Sequence, residues 1–319
     1  MANSPKKIAV VAFGGNALSP EMQKGSFEEQ QANADAASEA ILGIACSGYE
    51  VILVHGNGPQ VGQLLAQNEE SAAKIPMLPL DACVAATQGT IGFILTTALR
   101  QTCKRLGIDK DTVTVLTNVA VDPADQAFQN PTKPIGGFMS AERAQEMKEN
   151  KGWKIIEDSG RGYRRVVPSP EPRRIMESKA IRELALAGYI VMACGGGGIP
   201  VAKVNDRFTG LEAVIDKDLA SSLLAAEVGA DLYIVLTGVP QVAINFGKPN
   251  MQLLEKITVS EAEKYMSEGH FPPGSMGPKI SAALKFISCS AKEVLITTAE
   301  KLEAALEGQS GTYIVPDAK

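Results

Sequence analysis

Residues 6–13, Lys-Lys-Ile-Ala-Val-Val-Ala-Phe, run straight into Gly14-Gly15-Asn16-Ala17, and Ser26-Phe27-Glu28-Glu29 stands a little further on. The first run is apolar at consecutive positions, as a strand buried on both faces requires. Ser26 and Glu29 have the spacing of a capping box, in which each side chain satisfies a backbone N–H of the other's residue. A helix is therefore predicted from there to about Cys46, ended by Gly48. Strand, glycine turn and helix recur outward from this unit. EVILV (50–54) reads as a second strand, followed by HGNGPQVG and a helical stretch. Asp81 to Leu106 reads as a buried helix, and TVTVLTNVAV (112–121) as a third strand. Beyond residue 172 come a helix to Ala187, the strand YIVMAC, the loop GGGGIPV, a hairpin, and a helix from about Lys217. The strands DLYIVLTG, EVLITTA and TYIVP complete the series. This alternation predicts an α/β fold, a three-layer α/β/α sandwich around a mainly parallel sheet.

The rhythm breaks between Asp122 and Pro172. The stretch holds DPADQAFQNPTKPIGGF, a polar helix near Ser140–Asn150, two strand-like pieces (KIIED and YRRVV) and PSPEP. We read residues 1–319 as one domain carrying a small protruding subdomain at 123–170. Lys133 lies between Pro131 and Pro134, which stiffen the loop. The insert is polar with little apolar surface to anchor it, the composition of a lid with a mobile stem.

Composition narrows the classes. The chain has 319 residues, a net charge of −5 and 45% hydrophobic residues. Length allows a large core without disulfides or metal. The mild charge, with no block of one sign, argues against a nucleic-acid binder. No apolar run reaches the ~20 residues of a membrane span, and the N-terminal run is too short for a signal peptide. The five cysteines are dispersed without C-x-x-C spacing, as expected of buried small side chains in a reducing cytoplasm.

Three glycine-rich loops follow buried strands: Gly14-Gly15-Asn16, Gly56-Asn57-Gly58, and Gly195 to Gly198, whose Gly196 and Gly197 are the central pair. Glycine lets backbone amides approach an anion, and the next helix N-terminus adds a favourable dipole. Ligands of open α/β sheets gather at the carboxyl ends of the strands, so three such loops point to a phosphate or small-anion site. No Walker A motif is present. Asp216-Lys217-Asp218 opens a helix; the acids are either simple caps, or Asp218 orients lysines around a phosphate faced by Lys217. Lys279, in Gly274-Ser275-Met276-Gly277-Pro278-Lys279, likewise stands at a helix entry. With two histidines, a His-rich metal site is impossible, and His55 reads as structural.

Taken together these segments resemble the amino acid kinase family over nearly the whole chain. The resemblance rests on VAFGGNA (11–17), HGNGPQVG (55–62), VDP (121–123), GRG (160–162), VPSP (167–170), the GGGGIP loop, VIDKD (214–218), INFGKP (244–249) and GSMGPK (274–279). NPTKPIG (130–136), inside a mid-chain insert, resembles the carbamate-phosphorylating branch. The resemblance implies reversible phosphoryl transfer between carbamoyl phosphate and ADP, giving carbamate and ATP, with Mg²⁺ on the nucleotide phosphates and a homodimer. It implies that Lys133, Lys217 and Lys279 converge on the transferred group and that Asp218 sets their geometry. It further implies that Gly14, Gly15, Asn16, Gly56, Asn57, Gly58, Gly196 and Gly197 hold phosphoryl and carbamate oxygens. Thr237, Gly238, Val239, Phe246, Met276, Gly277 and Lys279 would then form the nucleotide side. Such chemistry needs alignment and charge neutralisation, with no covalent nucleophile. The sequence departs from the family pattern at Asn118, Tyr163, Pro240 and Phe246, the last two on the nucleotide side. Two other readings are a kinase for another small acid, which needs an arginine-lined pocket, and a catalytically silent carbamoyl-phosphate sensor.

Overall fold

The computed structural model describes residues 5–14, 18, 20, 23–158, 160–272 and 275–318. The main sheet has eight strands: β1 (Lys7–Phe13), β2 (Tyr49–His55), β3 (Thr112–Thr114), β4 (Ile190–Met192), β5 (Leu232–Leu236), β6 (Lys256–Thr258), β7 (Glu293–Thr297) and β8 (Thr312–Val315). Their order is β6-β8-β7-β5-β1-β2-β4-β3. Every neighbouring pair is parallel except β7 and β8.

The helices are α1 (Phe27–Cys46), α2 (Gly58–Ser71), α3 (Leu80–Leu106), α4 (Ala141–Lys151), α5 (Ser178–Leu186), α6 (Lys217–Glu227), α7 (Val259–Ser267), α8 (Met276–Ser290) and α9 (Leu302–Leu306). Side chains of β1 alternate between two cores. Ala9, Val11 and Phe13 pack with Ile41, Leu95 and Leu302, from α1, α3 and α9. Ile8, Val10 and Ala12 pack with Ile181, Leu224, Ala262 and Phe286, from α5 to α8. A strand covered on both faces has no side for polar residues, which is why the run is continuous. The predicted capping box is present: Ser26 accepts from the Glu29 amide, and Glu29 from the Ser26 amide. Helix α3 is long and apolar enough to cross a membrane, yet Ile91, Ile94, Leu95, Ala98 and Leu99 bury one side of it in the core.

The expected single strand at 112–121 is two strands in different sheets. Thr112–Thr114 belongs to the main sheet, whereas Asn118–Val121 joins a second, four-stranded sheet with 172–175, 199–204 and 207–210. The buried side chain of Gln88 holds the crossing point. It accepts from the Thr117 amide at 2.8 Å and donates to the carbonyls of Thr117 and Gly195. These contacts satisfy backbone groups that the broken ladder leaves buried.

Residues 133–139, 155–157 and 163–167 form a separate three-stranded antiparallel sheet with α4 between its strands. It is anchored more firmly than its polar composition suggests. Ile135 and Val167 are buried with Val61, Leu65, Leu80, Val84 and Val214 of the body. A Cβ on Gly62 of α2 would lie 2.0 Å from the Cα of Gly136, so two glycine backbones cross in contact.

Candidate active site

Topology lines up the glycine-bearing turns. Across β5, β1, β2 and β4, the segments after the carboxyl ends are Thr237–Val239, Gly14, Gly56–Gly58 and Gly195–Gly198, side by side. The Gly56 amide donates to the Phe13 carbonyl and the Thr237 amide to the Thr297 carbonyl, keeping neighbouring turns level. Gly15 and Asn16, also expected at this edge, lie outside the described residues, as does Gly274.

The Gly195–Gly198 turn is glycine for steric reasons. A Cβ on Gly195 would sit 2.3 Å from the His55 ring, on Gly196 2.2 Å from the Asn57 amide, and on Gly197 2.3 Å from the Ile215 carbonyl. Gly196 and Gly197 also have positive φ, 66° and 92°, a region open to glycine at little cost. The loops after β2 and β4 and the segment entering α6 are thereby pressed together. Asn57 is buried, donates to Thr87 Oγ1 at 2.9 Å and precedes α2, whose first residue is Gly58. His55 donates from Nδ1 to the Gly56 carbonyl. Burial pulls its imidazole down to about 4, and the charge of Lys217 adds to that shift. His55 is therefore neutral at pH 7 and suits packing.

Beside these loops α6 and α8 begin. They pack along their lengths, with Ser222 donating to the Ala282 carbonyl at 2.7 Å. Their first turns bring Lys217, Asp218 and Lys279 together. Lys217 Nζ lies 3.0 Å from Asp218 Oδ1 and Lys279 Nζ 3.0 Å from Oδ2. Asp218 is only 5% exposed. Burial would push its carboxyl up, but the two ammonium groups outweigh that and hold it well below the usual carboxylate range. Burial pulls Lys217 down, opposed chiefly by Asp218. Tyr233 and Ser221 support the turn from beneath; their hydroxyls lie 2.7 Å apart, and Tyr233 donates to the Asp218 carbonyl at 3.3 Å.

The two acids flanking Lys217 divide the roles that the sequence left open. Asp216 is the cap: its Oδ1 accepts from the amides of Asp218 and Leu219. Its Oδ2 receives Lys133 Nζ at 2.5 Å, from the insert. Lys133, Lys217 and Lys279 therefore stand around one helix start. The sequence marked Asp216 only as a possible cap; its pairing with a lysine 83 residues away is a tertiary fact.

Met276 and Gly277 open α8 in the same first turn as Lys279, and Gly277 is buried against the Pro272 carbonyl. Phe246, 65% exposed, stands in the turn between strands 242–244 and 252–254. The neighbouring Asn245 amide donates to His270 Nδ1, linking that turn to the approach to α8. Asn118 is occupied structurally, with its amide N–H and side chain both donating to Glu177.

At the lysine cluster the carboxylates of Asp216 and Asp218 are taken up by ammonium groups, which does not suit them to hold Mg²⁺. Among the described residues no three Asp, Glu, His or Cys side chains are grouped for a metal. Two clefts of about 280 and 310 Å³ lie where the insert meets the body, lined in common by Leu80, Arg165 and Glu212. Neither is lined by Lys133, Lys217 or Lys279, and Arg165 is engaged with Glu69 at 3.2 Å and stacked over Trp153.

The profile of the amino acid kinase family matches residues 7–298. A carbamate kinase of Thermococcus kodakarensis is 46% identical over 97% of this chain and 99% of its own length. A carbamate kinase-like protein of Escherichia coli K12 is 47% identical over 97% and 99%. The structure of carbamate kinase from Giardia lamblia bound to AMP-PNP superposes with a TM-score of 0.91 at 41% identity, covering 99% of this chain and all of that one. The chain belongs to the amino acid kinase family and is a phosphotransferase of its α/β fold. Within that family it falls with the carbamate kinases.

Proposed function

We propose that this protein transfers a phosphoryl group reversibly between carbamoyl phosphate and ADP, yielding carbamate and ATP. The observation that carries the reading is the buried Asp218 held between Lys217 and Lys279 where two helices begin, with Lys133 reaching the same place from the insert. Transfer of a phosphoryl group needs in-line alignment and neutralisation of charge on its oxygens. Lysine suits this as a point charge with three donors on a flexible stem. Asp218 keeps the two nearest cations in place when no anion is bound. The amides at Gly14, Gly15, Asn16, Gly56, Asn57, Gly58, Gly196 and Gly197 are the proposed seats for phosphoryl and carbamate oxygens. Thr237, Gly238, Val239, Phe246, Met276 and Gly277 are proposed for the nucleotide. Support for a nucleotide side comes from the Giardia relative, bound to AMP-PNP. Mg²⁺ is expected to arrive on the nucleotide phosphates, where it shields their charge.

A pocket for a second carboxylate, as another small-acid kinase needs, finds little support. Arg161 and Arg164 pair with Asp158, and Arg165 with Glu69, all at the insert. We also infer a homodimer, supported by the stacked, exposed pair Phe27 and Phe93, and a cytoplasmic location, supported by five unpaired cysteines.

The test is ATP formation from carbamoyl phosphate and ADP with Mg²⁺, read by a coupled assay. Turnover with carbamoyl phosphate and none with acetyl phosphate or N-acetylglutamyl phosphate is expected. Carbamoyl phosphate binding without ATP formation would leave a sensor instead of an enzyme.

A further inference from the structure

We propose that Asp216 is a positioning residue for Lys133, holding the insert's ammonium over the helix start while its other oxygen caps that helix. The inference rests on the phosphoryl-transfer reading above and assigns a role to a residue that reading does not use.

Lys133 lies on the insert strand 133–139, with a side chain 30% exposed. A lysine there has a long stem with many rotamers, and ordering it costs conformational entropy. Asp218 cannot supply the order, because each of its oxygens already faces another ammonium, Lys217 or Lys279. Lys133 needs a carboxylate of its own, and Asp216 provides it at 2.5 Å.

Asp216 is itself well fixed. Its Oδ1 accepts two amides of the first turn of α6, at 2.9 and 3.3 Å. The preceding Ile215 carbonyl is pressed against Gly197. A side chain anchored at one oxygen presents the other in a set direction, so the order of the helix start passes to the insert. One of the three Lys133 N–H donors is used, leaving two for a phosphoryl or carbamate oxygen. Three ammonium groups against two carboxylates leave the cluster one positive charge in excess, which favours an incoming anion.

Capping and charge can be separated by substitution. Asparagine caps a helix as well as aspartate does, so Asp216→Asn keeps the cap and removes the charge that holds Lys133. The carbamoyl phosphate KM is expected to rise and kcat to fall, about tenfold together, the scale of one charge-assisted hydrogen bond. The ADP dissociation constant by calorimetry and the thermal midpoint should stay near wild type. Lys133→Ala should show the same pattern more strongly. Adding Asp216→Asn to Lys133→Ala should cost nothing further, because the carboxylate acts through that lysine. Deuterium exchange of amides 133–139 should accelerate in Asp216→Asn.

Wild-type kinetics in Asp216→Asn would overturn the proposal, and so would full additivity in the double variant. Loss of thermal stability with unchanged kinetics per folded molecule would reduce Asp216 to a cap. Should the wild type make no ATP at all, the functional reading fails alone, since exchange at 133–139 still judges whether Asp216 orders the insert; unchanged exchange there would sink the positioning role.

Discussion

At the scale of single residues the cluster works by opposing two electrostatic costs. Burying Asp218 penalises its charge, and burying Lys217 penalises the opposite one; together with Lys279 they offset each other. Removing one member exposes the imbalance. Lys217→Ala or Lys279→Ala should lower kcat about 10²-fold or more, because each stabilises charge that moves during transfer. Steady-state turnover per folded molecule checks this, and near-normal kcat in both would remove the lysines from the chemistry. Asp218 also predicts a pH effect. Its folded carboxyl titrates well below the ~3.9 of an unfolded aspartate, so the unfolded chain takes up the proton first as pH falls. Stability present above about pH 4 is thus lost progressively below it. Thermal midpoints between pH 6 and pH 2.5 should fall more steeply in wild type than in Asp218→Asn; equal slopes would mean that this carboxylate is not depressed.

At the scale of elements the site depends on close backbone approach. Helix α2 and the insert strand cross at Gly62 and Gly136, where no Cβ fits on Gly62 and Gly136 holds a φ of +72°. Three residues before Gly136 stands Lys133. Gly62→Ala must push the insert away from α2, at a cost of about 1–3 kcal/mol for overpacking. The expected result is a lower thermal midpoint together with a raised KM for carbamoyl phosphate, since the shift is passed to Lys133. Unchanged kinetics alongside lost stability would show that the insert's seating and its lysine are uncoupled.

At the scale of the whole molecule, the exposed face of α3 stands out. Phe93 is 58% exposed and stacks on Phe27 of α1, with ring centroids 6.3 Å apart. Thr114 packs against Gly92, and Leu116 just beyond it is also exposed. Apolar groups clustered on a surface mark an association site more often than isolated ones do. If this face seats the homodimer proposed above, Phe93→Asp should give a monomer in sedimentation velocity where the wild type gives a dimer, while leaving the far-ultraviolet circular dichroism unchanged. A wild-type protein that already sediments at the mass of one chain would refute the proposed homodimer.

What the sequence determined by itself is what local chemistry can specify. The apolar run of β1, the Ser26–Glu29 capping box and the glycine turns after buried strands are short-range signals, and the α/β architecture follows from their alternation. The lysines at the starts of α6 and α8 were legible because helix entry is read from a few neighbouring residues. Tertiary structure decided the rest. TVTVLTNVAV carries no glycine or proline, so its division between two sheets came from Gln88, a side chain on α3 that satisfies the backbone at the break. The seating of the insert came from Gly62 meeting Gly136, and the second task of Asp216 from Lys133, 83 residues upstream. Each depends on a partner distant in the chain, and a local pattern of residue types holds no information about which distant group will complete it.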